Sequence, residues 1–201
     1  MRITRDAAAV VAILVLWGSI FSAAAQTAKT KNNAPSTAPA PQDYCTSTGG
    51  TLETRYPVYG TNNSMQNWLQ LQGRQGFCQY TQASDGSRIH VSLETLFTTK
   101  PSLAALAYYA QTPPVNGQGN PASVYCSQLG GSDLFGGVNA AGGGWVELNT
   151  TDVVLEACIF PDSSTIDSWG LFYHSASIIR GIDLSTVLKY QNPYAKTEKE
   201  N

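Results

Sequence analysis

The sequence contains one unit twice, and this repeat constrains the fold more than any other feature. The run YCTSTGG at residues 44–50 returns as YCSQLGG at residues 125–131. Each copy has one further cysteine, Cys78 in the first and Cys158 in the second, followed by an Asp-Ser type of turn and a short apolar segment. This duplication predicts two small modules in tandem rather than one large enzyme domain.

All four cysteines of the chain belong to the repeat. In an exported protein, an even number of cysteines at matching spacings indicates disulfides. The repeat favours pairing within each copy, Cys45 with Cys78 and Cys126 with Cys158. Each bridge closes a loop of about 33 residues, which contributes roughly 3–4 kcal/mol in the chain-entropy model. The alternative is a zinc site that combines the cysteines with the two histidines, although the chain has no C-x-x-C or H-x-E spacing.

Residues 1–25 have the features of a secretory signal peptide. Arg2 and Arg5 precede an apolar stretch at residues 7–21, and three alanines at residues 23–25 fit the cleavage pattern. The stretch is shorter than the roughly 20 residues of a membrane-spanning helix. We therefore expect a cleaved signal and a periplasmic or secreted protein, and an uncleaved N-terminal anchor is the alternative.

The rest of the chain divides by composition. We expect a disordered leader at residues 26–41, because it lacks large apolar side chains. The first module is predicted at residues 42–110 and the second at residues 120–191. A Pro- and Gly-rich linker at residues 111–119 separates them. A polar tail follows at residues 192–201.

Each module is predicted to contain a helix, a β-hairpin and a second helix, which gives an α+β fold class. In the first module we expect a helix around residues 44–48, strands near 51–56 and 76–81, and a helix near 92–97. A further helix is expected at residues 101–109.

The second module repeats this plan. Asn120 is expected to cap a helix that has Pro121 at its first position and ends at a Gly-Gly pair. Residues 145–148 and 153–160 are expected to pair as a hairpin, with the turn at residues 149–152. The next helix is expected to carry the apolar side chains Ile166, Trp169 and Phe172, and another helix is expected near residues 184–190.

Charge gives few indications of a partner. The net charge is −2, and charged residues make up 13% of the chain, against a usual quarter or so. This balance provides no electrostatic footprint for nucleic acid or an anionic membrane. A surface that is low in charge is compatible with contact to a protein partner.

Two motifs of the second copy carry a family resemblance. The run NPASVYCSQLGG occupies residues 120–131, and ACIFPDSS at residues 157–164 is followed by an acidic residue and Trp169. Together they resemble a small exported bacterial domain of unknown function whose members are often labelled as haemolysins. The resemblance covers about residues 120–174 and, more loosely, the first copy at about residues 43–97.

The chain departs from this family in two ways that matter for structure. Members often carry a further cysteine after the turn, where this sequence has Ile89 and Ile166, and another near the end of the domain. We therefore expect apolar packing in place of a second disulfide in each module. The resemblance is not taken to imply lytic activity, since the sequence has no long amphipathic helix with a basic face.

No arrangement of residues predicts catalysis. His90 and His174 are the two histidines, and the chain has no G-x-S-x-G nucleophile motif. The glycines at residues 142–144 are not followed by the Lys-Ser/Thr pair of a phosphate-binding loop. The acidic residues Glu147 and Glu156 are expected to face solvent beside a turn. We expect no catalytic residue, no cofactor and no metal.

Aromatic side chains are the candidates for partner binding, because Trp and Tyr are preferred anchors at protein interfaces. The candidates are Trp68, Trp145, Tyr108 and Tyr109. Trp145 follows three glycines, and Trp68 lies in a polar run.

These observations favour a non-catalytic exported accessory protein that binds and stabilises a larger envelope or periplasmic complex. One concrete version is the small subunit of a membrane-associated quinoprotein dehydrogenase, although no motif points to that partner. A free secreted effector or hydrolase inhibitor, which would present the glycine-rich tip near Trp145, is the alternative. We expect no binding of nucleic acid and no membrane insertion after signal cleavage.

Overall fold

The structure is a computed structural model that describes residues 40–133, 141–147 and 154–192. The predicted signal peptide, nearly all of the leader and nearly all of the tail lie outside these residues. The predicted turn at residues 149–152 also lies outside them.

Five helices occur in the described ranges, and most begin at a side-chain cap. Their bounds are α1 Pro41–Ser47, α2 Leu93–Phe97, α3 Leu103–Ala110, α4 Pro121–Gln128 and α5 Ser168–Ser175. Asn120 accepts hydrogen bonds from the backbone N–H groups of Ala122 and Ser123 and so begins α4 as predicted. Ser92, Ser102 and Asp167 cap α2, α3 and α5 in the same way.

Seven strands form one antiparallel sheet. Their bounds are β1 Thr51–Tyr59, β2 Leu69–Gln70, β3 Gln75–Thr81, β4 Arg88–Ser92, β5 Gly143–Glu147, β6 Ala157–Ile159 and β7 Thr165–Asp167. The order is β2-β1-β3-β4-β7-β6, and β5 pairs with β1. The α+β class is therefore confirmed, as are both disulfides, Cys45–Cys78 and Cys126–Cys158.

The two copies of the repeat meet in the middle of this sheet. Val91 on β4 pairs with Ile166 on β7. Val91 also pairs with Cys78 on β3, and Ile166 also pairs with Cys158 on β6. One row of residues across the sheet thus connects the two disulfides through two buried β-branched side chains. The two copies of the repeat therefore share one sheet.

Strand β5 of the second copy pairs with β1 of the first copy, which was not predicted. Residues 143–147 lie opposite Arg55 to Tyr59. Trp145 also forms an antiparallel bridge with Leu155, as the expected hairpin of residues 145–148 and 153–160 requires. Because Leu155 lies just before β6, this bridge closes a ring of strand pairings from β1 through β3, β4, β7 and β6 to β5.

Two expectations about the second copy need correction. Ile166 lies on strand β7 and not on the following helix, because it fills the position opposite Val91. The helix expected near residues 184–190 is a short 3-10 turn at Leu184–Thr186. The strands β4 and β7 were not predicted. Strand β7 has only three residues, whereas β4 does alternate polar and apolar residues and was missed beside the helix predicted near residues 92–97.

The repeated Gly-Gly pair has a local structural cause in both copies. The first glycine of each pair, Gly49 and Gly130, has φ of 87°, a conformation that favours glycine. The second glycine packs against the disulfide. A β-carbon on Gly50 would collide with the sulfur of Cys78, and a β-carbon on Gly131 would collide with that of Cys158.

The repeated turn before β4 and β7 connects each copy to the other. Ser87 of the first copy accepts a hydrogen bond from the backbone N–H of Gly181, at 3.2 Å. The equivalent Ser164 of the second copy accepts one from the N–H of Ala104 at the start of α3, at 2.9 Å. Ser87 of the first copy therefore binds the backbone that follows α5 of the second copy. Ser164 of the second copy binds the start of α3, which follows α2 of the first copy.

The linker at residues 111–119 contains no helix or strand, but it is attached to α4. The hydroxyl of Tyr125 donates to the carbonyl of Thr112 at 2.6 Å. The side-chain amide of Gln128 donates to the carbonyl of Pro113 at 2.9 Å. These contacts tie the start of the linker to the second copy.

The helices cover one face of the sheet and form the larger apolar core with it. The buried members of this core include Cys45, Cys78, Tyr80, Ile89, Val91, Leu96, Cys126, Cys158, Ile166 and Leu171. Ile89 and Ile166, where the related family often has cysteine, are both buried here. This agrees with the expectation that apolar packing takes the place of a second disulfide.

Candidate functional site

The opposite face of the sheet carries a buried cluster of charged side chains. Alternation along the strands places Glu53 and Arg55 of β1, His90 of β4 and Asp167 of β7 on this face. All four are buried, and Arg55 is only 1% exposed. Since buried charges need partners, the contacts among these four residues decide what the cluster does.

Arg55 is held by acceptors on two strands. Its Nε lies 2.6 Å from Oε2 of Glu53, two residues earlier on the same face of β1. Its Nη1 donates to the backbone carbonyl of Trp145 on β5 at 3.3 Å. The guanidinium therefore neutralises a buried carboxylate and also attaches β5 to β1.

His90 connects the two copies of the repeat. Its Nε2 lies 3.3 Å from Oε2 of Glu53 and 3.2 Å from Oε1 of Gln79. Its Nδ1 lies 3.4 Å from Oδ2 of Asp167. An imidazolium donates from both ring nitrogens, so acceptors on both sides of His90 favour its charged form. The positive charge of Arg55, whose Nη2 lies 3.4 Å from Nε2 of His90, opposes that form.

The pKa values of the cluster shift in the directions that these contacts imply. Burial disfavours a charged His90, but hydrogen bonds and negative charge from Asp167 and Glu53 outweigh it and raise the pKa of His90 above 6.5. Burial likewise disfavours a charged Glu53. Hydrogen bonds and positive charge from His90 and Arg55 prevail, and they lower its pKa below 4.5.

His174, the second histidine, has the opposite shift. Its ring stacks on Tyr108 at a centroid distance of 3.7 Å, and its Nε2 lies 2.9 Å from Nε2 of Gln111. Burial lowers the pKa of His174 below 6.5, against the opposing negative charge of Asp183. The two histidines therefore affect the pH dependence of stability with opposite signs.

Replacing His90 by glutamine should change this pH dependence in a defined direction. A pKa that is raised in the folded state adds stability that is complete below 6.5, the unfolded value, and is lost as the pH rises through the folded value. The free energy of unfolding lost in His90→Gln, measured by urea denaturation across a pH series, should therefore shrink towards alkaline pH.

The matched control for this experiment is His174→Gln. Because the pKa of His174 is lowered, its titration costs stability as the pH falls below 6.5, and the difference from wild type should shrink towards acid pH. Parallel curves for the wild-type protein and His90→Gln would contradict the geometry of the cluster.

The cluster is suited to structure rather than to metal binding. The carboxylates of Glu53 and Asp167 already accept hydrogen bonds from neighbouring side chains and backbone. No group of metal-ligating side chains occurs in residues 40–133, 141–147 and 154–192. The alternative zinc site would need the four cysteine thiolates, which both disulfides consume.

The structure disperses the four aromatic candidates for partner contact. Trp145 is 8% exposed and Tyr108 is 1% exposed. Trp145 packs edge-on against Phe77 at a centroid distance of 5.7 Å. Tyr109 is half-buried and donates its hydroxyl to the carbonyl of Tyr190. These positions give Trp145 and Tyr108 little surface for a partner, and Trp145 lies within a strand rather than at a loop tip.

Trp68 lies in a different setting, beside an exposed apolar edge of the sheet. It follows a 3-10 turn at Met65–Asn67 and precedes β2, and its indole N–H donates to the carbonyl of Asn63 at 3.0 Å. Met65 is 63% exposed, Leu69 is 60% exposed and Leu71 is 40% exposed. We call Met65, Trp68, Leu69 and Leu71 the β2 edge.

Three residues of the β2 edge were not predicted from the sequence as candidates. Met65, Leu69 and Leu71 alternate with polar residues in a run that resembles an ordinary half-buried strand. One signal could have identified them: residues 60–73 contain no charged residue and no proline. Such residues normally protect an exposed strand from pairing with other chains.

Comparison with known proteins gives one partial relationship. The chain is 36% identical over 63 residues to the uncharacterized protein YoaF of Escherichia coli K12, and equally to YoaF of E. coli O6:H1 CFT073 and of Shigella flexneri. The aligned segment covers 31% of this chain and 61% of the length of these curated relatives. The chain therefore spans about three fifths of the relatives that it matches. The name of the relatives carries no activity and gives no support to a haemolysin label.

No family model matches the chain, and no solved structure matches it. Two disulfides indicate an oxidising, extracytoplasmic compartment. Among the helices of the described residues, none has the length and apolar character needed to span a membrane.

Proposed function

We propose that this protein is a non-catalytic accessory protein of the periplasm or cell exterior, and that a larger protein docks on its β2 edge. The observation that carries the proposal is the exposed strand β2 together with the exposed apolar side chains of Met65, Leu69 and Leu71. Exposed apolar side chains that gather on one surface mark interaction sites on soluble proteins.

The position of β2 in the sheet supports docking by strand addition. In the order of the described strands, β2 is terminal, and it pairs with β1 through Val58–Gln70 and Tyr59–Leu69. An edge strand presents unpaired backbone groups that an extended segment of a partner can use. Leu69 and Leu71 would supply the apolar contacts beside that pairing.

The chemistry of this surface indicates the kind of segment that would bind. Residues 60–73 carry no charge, so attraction between opposite charges does not contribute there. The complementary segment is extended, apolar and uncharged, as in a strand of a large envelope protein. Trp68, half-buried beside the strand, would act as the aromatic anchor of the interface.

The rest of the fold suits a scaffolding role. The shared sheet, the two disulfides and the buried charge cluster make a rigid support that holds β2 in place. Envelope complexes with a large catalytic subunit are one class of partner, and a membrane-associated quinoprotein dehydrogenase is one concrete member of that class. A free secreted effector or hydrolase inhibitor is the alternative function.

Replacing Leu69 by aspartate should abolish partner binding without unfolding the protein. A charge on the exposed β2 edge opposes burial against an apolar segment, so we expect at least about a tenfold loss of affinity, or more than about 1.4 kcal/mol. Tagged protein is purified from gently solubilised native envelopes, and the companion protein is quantified by mass spectrometry.

Val115→Asp is the matched control, because the side chain of Val115 is 58% exposed and lies in the linker, where only its backbone N–H contacts α4, through Gln128. It should retain the companion as the wild-type protein does. Equal recovery of the companion with Leu69→Asp and Val115→Asp would contradict docking at the β2 edge. A wild-type protein that brings no companion in near-equal amount would instead favour the free effector.

A further inference from the structure

A cavity of about 660 Å³ lies at one end of the ring of strands. Pro57 of β1 and Trp145 of β5, which pair with each other, line this cavity together with Gln75 at the start of β3. Thr95, shortly after β4, and Ser163, shortly before β7, also line it. Small-molecule sites have volumes of roughly 300–1,000 Å³ and often occupy the mouths of β-barrels. The position and the size of this cavity therefore suit a small ligand.

Hydrogen bonds between the two copies of the repeat fix the walls of this cavity. The side-chain amide of Gln75 in the first copy donates to Oγ1 of Thr165 in the second copy, at 3.2 Å. The backbone N–H of Thr165 donates to Oγ1 of Thr95 in the first copy, at 3.0 Å. Asp162, which also lines the cavity, accepts from the backbone N–H of Leu103 at 2.8 Å. The walls are therefore in place before a ligand binds, as in most small-molecule sites.

Uncharged polar side chains are the largest group in the lining of this cavity. Among the described residues, five hydroxyl side chains and two side-chain amides line it, whereas the charged residues Arg74, Glu94 and Asp162 are exposed. Ser102 is buried, and its Oγ accepts from the backbone N–H of Ala105, which leaves its hydroxyl hydrogen to donate. Because hydroxyls and amides both donate and accept, the complementary ligand is neutral and carries groups that do both.

Ser163 carries a side chain at a position where the backbone favours glycine. Its φ is 65°, and the equivalent residue of the first copy is Gly86, which has φ of 70° and does not line this cavity. The backbone N–H of Ser163 donates to the carbonyl of Phe160, and its carbonyl accepts from the hydroxyl of Thr165. Glycine would make both contacts, so serine adds only its hydroxyl group. Since side chains in this conformation cost stability and gather at functional sites, the hydroxyl of Ser163 is a candidate ligand contact.

We propose that this cavity binds a neutral sugar of one or two rings, and that the hydroxyl of Ser163 forms a hydrogen bond with it. Sugar hydroxyls both donate and accept, as the hydroxyls and amides of the lining do. The C–H face of a sugar ring is apolar and matches the side chains of Pro57, Pro101 and Trp145, which line the same cavity. The sugar is either a free molecule or the terminal unit of a longer glycan.

The test is a titration of the purified protein, without a partner at the β2 edge, with maltose, with N,N′-diacetylchitobiose and with the four-ring oligomer of each. The Trp145 indole resonance is followed by nuclear magnetic resonance. We expect a saturable shift, and binding roughly three- to tenfold weaker in Ser163→Gly, the usual net value of one hydrogen bond. Equal or tighter binding of a four-ring oligomer would support the end of a glycan, and exclusion of both oligomers would support a free sugar.

Ser177→Gly is the matched control, because Ser177 is also an exposed serine with a left-handed backbone, at φ of 62°, and does not line this cavity. It should bind the sugars as the wild-type protein does. Neither substitution should lower the midpoint of urea denaturation, since glycine adopts this backbone conformation without strain, so weaker binding in Ser163→Gly cannot come from unfolding. Equal affinity in Ser163→Gly and Ser177→Gly, or no saturable shift with any of the sugars, would overturn the proposal.

Discussion

Replacing Arg55 by leucine should destabilise the protein by about 3–5 kcal/mol, because it removes the nearest counter-charge of the buried Glu53 carboxylate and leaves only His90 to balance it. Arg55 is 1% exposed, and its Nε lies 2.6 Å from Oε2 of Glu53. The variant also loses the hydrogen bond to the carbonyl of Trp145 that links β1 to β5. Urea denaturation at neutral pH measures the loss.

Two further variants make this prediction specific. Arg74→Leu removes an exposed guanidinium and should change stability by no more than about 0.5 kcal/mol. The double variant Glu53→Gln, Arg55→Leu should recover part of the lost free energy of unfolding, since it also removes the buried negative charge of Glu53. If Arg55→Leu were as stable as Arg74→Leu, the buried ion pair could not be a structural element of this fold.

Removing the disulfide of the second copy should have the other large effect. We expect the double variant Cys126→Ala, Cys158→Ala to lose about 2–5 kcal/mol, the usual cost of a native disulfide in a small exported domain. Cys158 pairs across the sheet with Ile166, which in turn pairs with Val91 of the first copy. The loss should therefore appear as one cooperative shift of the whole unfolding transition.

Hydrogen exchange of the first copy is the informative readout for that variant. Because the two copies share a sheet, amides of β3 and β4 should exchange faster when the Cys126–Cys158 bridge is absent. The corresponding variant Cys45→Ala, Cys78→Ala should accelerate exchange in β6 and β7. Acceleration confined to the copy that carries the substitution would contradict a single cooperative sheet.

Much of the fold could be predicted from local sequence signals. Asn120 followed by Pro121 marks the start of α4, and the Gly-Gly pairs mark the positions where each chain segment turns beneath a disulfide. The disulfide pairing followed from the repeat, because equivalent residues in two copies make equivalent contacts. These signals lie within a few residues or within one copy.

The contacts between copies could not be predicted in the same way. Pairing of β5 with β1 joins residues about 90 positions apart, and no local pattern in either segment indicates it. The buried position of His90 was not predicted, because its partners, Glu53 and Asp167, lie on other strands. The position of His90 between two carboxylates follows only from the pairing of the strands.

The candidate site likewise combines features that local sequence signals predict with features that depend on strand pairing. Trp68 was predicted from its residue type, whereas Met65, Leu69 and Leu71 required knowledge that β2 lies at the end of the sheet. Trp145 was predicted for the same reason as Trp68, but its place between Phe77 and the Leu155 bridge buries it. The identity of an aromatic residue indicates a capacity for contact, and strand position decides exposure.

Site-specific photocross-linking from the β2 edge tests the central proposal most directly. A benzophenone side chain is placed at residue 69 or, as control, at residue 115, and each protein is irradiated in its native envelope. We predict one adduct of defined mass from residue 69 and none of that mass from residue 115, with the adduct lost when Trp68 is replaced by alanine. The same adduct from both positions, or no adduct from residue 69, would contradict docking at the β2 edge.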